Sequence, residues 1–350
     1  MNSIVVRAPD GLLRGTAFDL TFIAGIALVA LACGVVVTVE PRLFWPILAL
    51  DLWLLGYHHV ISTYTRLAFD RESFREHRWM IFYLPWLVAA GVLAIALTAG
   101  IWLLVSIYLY WQWFHYARQS EGVSKAYAGR SAGKDIGNLH VTRVAFYSVP
   151  VAGILNVSAR APDTFLMMPV RTFPVPDWLA TAALIFSALA VGTWLAFQVR
   201  AWRRKQLAGP YVAYVISHFV VFGFAYIGLQ EISYGWLAVN MWHNAQYILF
   251  VWLFNNRRFN GTVDPQRVFI STISQSGRFP LYIGVCLTLS TLTYFLIDQL
   301  GVQALGNALG ITAAVAAVMV YQTVNFHHYV VDALIWKLRK PALRNKLGLT

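Results

Sequence analysis

The chain has 350 residues, of which 59% are hydrophobic and 12% charged, and its mean hydropathy is +0.59. This composition excludes an ordinary water-soluble core, because the surplus apolar surface requires lipid. The net charge of +12 sits at the ends of apolar stretches, where basic side chains stay hydrated beside anionic lipid, so it marks a membrane surface and not a nucleic-acid footprint.

The expected elements are apolar stretches of spanning length, about 20 residues each. In chain order they cover 16–38, 44–65, 80–97, 101–117, 141–157, 177–199, 209–228, 233–254, 279–297 and 311–336. The apolar run from Met80 to Tyr116 exceeds one span, and Thr98-Ala99-Gly100 is the natural place for a tight turn between two helices. The connections are short, and no internal repeat is evident. The segment 1–350 therefore reads as a single polytopic all-α integral membrane domain. Four prolines in the segment 158–176 predict a surface loop or a short re-entrant piece. Cys33 and Cys286 lie inside apolar stretches, which offers neither a disulfide framework nor a cysteine metal site. The first stretch runs to spanning length without a small-residue cleavage pattern, so a cleaved signal peptide is not expected.

Orientation follows from Lys and Arg, which are retained on the cytoplasmic side. Ten helices with both termini in the cytoplasm leave only Arg42, Arg160 and Arg171, of 27 basic residues, outside. An odd number would put either the cluster from Arg200 to Lys205 or the tail from Lys337 to Lys346 on the wrong face. The expected location is a bacterial inner (cytoplasmic) membrane, with segments 66–79, 118–140 and 255–278 as cytoplasmic loops.

Ionisable side chains inside a bilayer are costly and need a partner or a purpose. His58, His59, His115, His218, His243, His327 and His328 all fall within expected spans. At 1.5 Å per residue, His59, His115, His218, His243 and His328 lie about 5 to 16 Å from the cytoplasmic ends of five different helices. Helices running in both directions thus bring imidazoles to one layer, which points to a shared metal site, since neutral imidazole is the common ligand for iron, copper and zinc. Helical spacing adds supporting groups: Asp332 and Asn325 flank His328 by one turn, Tyr247 follows His243, Thr63 follows His59, and Gln112 precedes His115. Asp51 is expected on the face of His58, seven residues on. Adjacent helical residues point about 100° apart, so one member each of His58-His59 and His327-His328 faces a given site.

Four segments occur in a suggestive order: Gly56-Tyr57-His58-His59, Phe114-His115, the stretch from His243 to Trp252 with Tyr247, and His327-His328 followed by Asp332. In this the chain resembles the Brp/Blh-like membrane β-carotene 15,15'-dioxygenases. The resemblance implies a multi-helix membrane fold with a histidine-bound non-haem iron that uses dioxygen to cleave a carotenoid double bond. Carried over, the ligands are His59, His115 and His243. The chain departs from the pattern at Tyr247, where the family has a second histidine, and at Thr63, where it has an acidic residue. The fourth ligand is then His327, His328 or His218.

Three functional classes are weighed. The first is a non-haem oxygenase acting on a lipid-soluble substrate, with iron or possibly copper as the metal, Tyr247 and Asp332 tuning the site, and dioxygen and membrane lipid as partners. The second is a haem-binding electron-transfer or quinone-reactive protein, with a pair such as His243 and His328 as axial ligands. The third is a transporter with a histidine proton relay. The topology carries its own test: single cysteines introduced at Arg75, Lys134 and Thr262, in a background lacking Cys33 and Cys286, should all be labelled from the cytoplasmic side. Labelling of any of them from outside would break the ten-helix arrangement.

Overall fold

The computed structural model describes residues 11–131, 133–259 and 262–336. The first ten residues and the basic tail 337–350, on which the placement of the termini rests, lie outside the described residues. Among the described residues ten long helices follow one another: α1 Thr16–Val39, α2 Pro41–Leu67, α3 Arg78–Thr98, α4 Ile101–Arg130, α5 Leu139–Ala159, α6 Asp177–Arg203, α7 Gly209–Gly228, α8 Ile232–Arg258, α9 Ser276–Leu309 and α10 Ala313–Ile335. Each expected span coincides with one of them. Seven, namely α1 to α3, α5 to α7 and α9, are long and apolar enough to cross a membrane. The other three, α4, α8 and α10, carry the polar side chains described below.

Local chemistry sets the helix ends. Asn138 caps α5 by accepting from the His140 and Val141 amides, Glu231 caps α8 through Ser233, and Thr312 caps α10 through Val315. Pro210 and Pro280 occupy first turns, where a missing N–H costs nothing. The turn expected at Thr98-Ala99-Gly100 is present, and Gly100 takes φ of +96°, a left-handed value that favours glycine.

One expectation is corrected. The segment from 118 is not loop at its start, because α4 continues in helix to Arg130. The proline-bearing segment 158–176 is, beyond the end of α5, the expected surface loop, and within it lies a small hairpin, β1 Thr164–Phe165 paired with β2 Met168–Pro169, whose buried Phe165 packs on Tyr108 and Trp236. Its apolar anchor explains why it folds over the bundle.

Helix α8 runs through the middle, with nearly every side chain buried, and packs on α1, α2 and α7. Helix α10 packs on α3, α4 and α9. Helix α6 packs on α5 and turns Ile185, Phe186 and Leu189 outward, as a lipid-facing helix must. Beyond α2, Asp70 caps a short helix, Arg71–Glu76, and pairs with Arg258 at 3.1 Å and Arg267 at 3.6 Å, tying two loops together. Burial pushes the Asp70 carboxyl up, but the Ser73 amide and the Arg258 guanidinium outweigh it and hold it below its ordinary value.

One irregularity positions the site. A π turn, Leu52–Gly56, interrupts α2 just before Tyr57-His58-His59. The extra residue advances the following helix by about 100° relative to an unbroken one. Asp51 and His59, rather than Asp51 and His58, therefore share a face, and they meet Asn240 and Asn244, one turn apart on α8.

The tightest helix contact is testable. A Cβ on Gly235 of α8 would overlap the Ala225 carbonyl of α7, whereas one on Gly284 of α9 meets nothing within 4 Å. Gly235→Ala should lower the melting temperature of detergent-solubilised protein, consistent with roughly 1–3 kcal/mol of overpacking. Gly284→Ala should leave it unchanged; equal effects would contradict the α7–α8 packing.

Candidate metal centre

Helices α2, α4, α8 and α10 each deliver one imidazole to a buried cluster. The His59 ring lies 4.9 Å from that of His243 and 4.4 Å from that of His328, while His115 lies 5.2 Å from His243 and 5.4 Å from His328. One ligand atom from each of His59, His115, His328 and Asp332 falls within 4.8 Å of the others, and all four residues are buried. This group could hold a metal ion.

With Asp332 ionised, as it would be beside a cation, the hydrogen bonds around the cluster assign its protons. His59 Nδ1 lies 2.5 Å from Asn244 Oδ1, and an amide oxygen only accepts, so Nδ1 carries the proton and Nε2 is a bare lone pair. His328 Nδ1 lies 3.2 Å from the Thr63 hydroxyl. That hydroxyl is 2.7 Å from Tyr247 OH, which donates to Asp332 Oδ1 at 2.8 Å and accepts from Trp336 Nε1 at 3.0 Å. Tyr247 has spent its one proton on the carboxylate, so Thr63 donates to Tyr247 and accepts from His328 Nδ1. The Nε2 atom of His328 is thereby bare as well. Yet the two Nε2 atoms converge to 2.7 Å, with Asp332 Oδ2 at 3.3 Å from that of His328. Converging lone pairs and a carboxylate oxygen are a cation site.

His115 and His243 strengthen the assignment, because their Nε2 atoms are buried without a hydrogen-bond partner. Turning the Asn244 amide over would protonate His59 Nε2 and let it donate to His328. It would leave both of these nitrogens unpartnered. Asp332 Oδ2 also accepts from the Gln119 amide, and Tyr116 packs 4.1 Å from the His243 ring while its hydroxyl bonds Asn240 and Gln112. Every polar neighbour thus holds a ring or the carboxylate in place.

The remaining sequence candidates lie elsewhere. His218, at the expected depth on α7, stacks on Phe146 at 3.7 Å, donates from Nε2 to the Phe146 carbonyl and accepts from Ser120 at Nδ1, both at 3.0 Å. It has no nitrogen left for a metal. His327 turns away from the cluster and donates from Nε2 to the Met80 carbonyl at 2.7 Å, fastening α10 to α3. The fourth imidazole is therefore that of His328. Tyr247 and Asp332 do sit at the cluster, and Thr63 bridges them, whereas Gln112 bonds Tyr116 and not His115. Asn244, Gln119, Trp336 and Tyr116 were not anticipated. Gln119, one turn after His115, could have been found by the same i+4 spacing that found Asp332. Asn244 could not, because it serves a histidine on another helix.

Two cavities meet the cluster from opposite ends of the bundle. The smaller, about 110 Å³, is lined by His115, His243, Tyr247 and Asp332 and reaches Arg118 and Trp336. The larger, about 410 Å³, is lined by His59 and His328 and extends past Tyr57, Tyr294 and Tyr321 to Trp45 and Trp236. Tyr329, stacked on His115 at 4.3 Å, is the wall common to both.

No family model, curated protein or solved structure matches the chain.

Elemental analysis of purified variants tests the centre. His59→Ala, His115→Ala and His328→Ala should each lower bound metal at least tenfold, in line with lost direct ligands. His218→Ala should keep the metal and lose thermal stability instead. Full metal retention in the first three variants would remove the site from this cluster.

Proposed function

We propose that the chain is a ten-span membrane metalloenzyme, a histidine-ligated non-haem oxygenase that acts on a lipid-soluble substrate. The observation that carries this reading is the group of His59, His115, His328 and Asp332, whose ligand atoms gather within 4.8 Å of one another at the junction of two cavities, with the unpartnered His243 beside them. In it, His59, His115, His328 and Asp332 would hold the ion, with His243 completing the ring of imidazoles, 4.9 Å from the His59 ring and 5.2 Å from that of His115. A mixed imidazole and carboxylate donor set suits iron, with copper the principal substitute. The bound ion would supply the activation of dioxygen.

The protein groups supply orientation and dryness. Asn244 and Thr63 fix the tautomers of His59 and His328, so both present Nε2 inward. Tyr247 delivers its proton to Asp332, and Trp336 donates to the tyrosine oxygen from the other side. The larger cavity falls within the roughly 300–1,000 Å³ usual for small-molecule sites, and its aromatic lining suits a long apolar chain. That three of the four ligand-bearing helices fall below the hydropathy of a lipid-facing span agrees with polar helices enclosed by apolar ones.

Haem fits the cluster poorly. The pair considered for axial ligation, His243 and His328, has the His59 ring against both members, at 4.9 and 4.4 Å, which leaves no slot for a planar macrocycle between them. The purified protein should contain a stoichiometric first-row transition metal and lack a Soret band. With apolar polyenes or fatty chains supplied in nanodiscs, it should consume dioxygen in a metal-dependent manner. Tyr247→Phe should reduce turnover by about 10- to 100-fold while keeping the metal. A Soret band, or oxygen consumption indifferent to metal removal, would overturn the reading.

A further inference from the structure

The smaller cavity opens at the bundle surface beside one stripe of α4. Phe114 is 45% exposed, Arg118 is exposed one turn further on, and a Cβ at Gly122 would meet nothing within 4 Å, so this stripe leaves an open rim. Behind it stand Trp111 and Trp336, and at the floor His115 and Asp332. The rim is apolar at Phe114 and cationic at Arg118.

Arg118 is not neutralised by its own surroundings. The nearest acid along the helix, Glu121, is taken by Lys125 at 2.9 Å, by Arg143 at 3.6 Å and by the Tyr147 hydroxyl at 2.9 Å. Among the described residues no carboxylate pairs with Arg118. A guanidinium at the mouth of a cavity, with a carboxylate at its floor, polarises the passage: an anionic group is held at the rim and repelled from the depth.

Building on the reading of a lipid-soluble substrate, we infer that the ligand of this site is an anionic single-chain amphiphile. Its carboxylate or phosphate head sits on Arg118, its first carbons fill the smaller cavity along Trp111 and Trp336, and the rest of its chain passes the shared wall at Tyr329 into the larger cavity. Arg118 lies three residues from His115, about 4.5 Å along the helix axis. The part of the chain presented to the cluster is therefore the part nearest the head group. A hydrocarbon without a charged end would leave the guanidinium unused.

Quenching of tryptophan fluorescence tests this directly, since Trp111, Trp242 and Trp336 line the cavity. Full-length protein in nanodiscs is titrated with a brominated fatty acid, its methyl ester and a brominated alkyl phosphate of the same chain length. The free acid should half-saturate at about a tenfold lower concentration than the ester. Comparison with the alkyl phosphate decides which anion the rim prefers. Arg118→Gln should bring the acid to the level of the ester, and Arg118→Lys should restore most of the difference. Because Arg118 is exposed, the Gln variant should keep its melting temperature and metal content, both measured on the same preparations. Equal quenching by acid and ester in the wild type, or an acid preference that survives Arg118→Gln, would overturn the amphiphile site. An acid preference in protein that binds no metal would support it while overturning the metal centre, so the two claims fail separately.

Discussion

A buried imidazole has two nitrogens, and inside a bilayer neither can turn to water. Each must find a donor, an acceptor or an ion, because an unpaired polar group in an apolar environment costs roughly 2–7 kcal/mol. The four-helix cluster is built around that requirement. Asn244 commits one proton of His59, and the Thr63-Tyr247-Asp332 chain commits one proton of His328. What remains is a pair of bare nitrogens 2.7 Å apart, with two further unpartnered nitrogens on His115 and His243. In His218 the same requirement is met by a hydroxyl and a carbonyl, and that residue is only a packing element. A candidate ligand thus differs from a structural histidine in its proton map together with the groups its bare nitrogen faces, since His58 Nε2 is also buried without a partner and His58 is not in the cluster, and depth in the membrane does not distinguish them.

The helical composition was legible in the sequence because long apolar runs have few alternatives to helix. The helix boundaries were less so. The sequence reading ended the fourth span at 117, where charge begins, but the helix runs on to Arg130, since backbone hydrogen bonding is indifferent to whether a side chain has left the lipid. The layer of histidines was also legible, from depth alone. Azimuth was not: it placed His218 with the others and could not choose between His327 and His328. Direction around a helix depends on neighbours in space and, in α2, on a π turn that a strict 3.6 period does not foresee. That turn is why Asp51 met Asn240 and not the face of His58.

Polarity and position are coupled in this bundle. The helices α4 and α8 are less apolar than their neighbours because they carry Gln112, Gln119, Asn240, Asn244 and Gln246 as well as the cluster, and these are buried or half-buried among other helices. A surrounding ring of apolar helices makes that arrangement possible, since lipid-facing faces such as that of α6 bear no comparable polar groups. The amides in turn hold the helices in register, through contacts such as Asn240 to Asp51 and Gln246 to the Phe22 carbonyl. Site geometry and helix packing are therefore not separate features, for Asn244, which orients His59, also joins α8 to α2.

Charge balance completes the case for a cation. Neutral imidazoles contribute no charge, so a divalent ion held by them alone would be an uncompensated charge in a low-dielectric interior, which is strongly unfavourable. Asp332 supplies one negative charge directly beside the converging nitrogens. Asp51 is linked by Asn240 to the Tyr116 that packs on the His243 ring, and its Oδ1 has no partner. A buried carboxyl with no cation near it can stay protonated and neutral, and a divalent ion at the cluster would be matched in charge by the ionised forms of both, one as a near neighbour and one through a chain of hydrogen bonds. The same field that would admit a metal ion would repel an anionic head group from the floor of the cavity, in keeping with a head at the rim and a chain at the cluster.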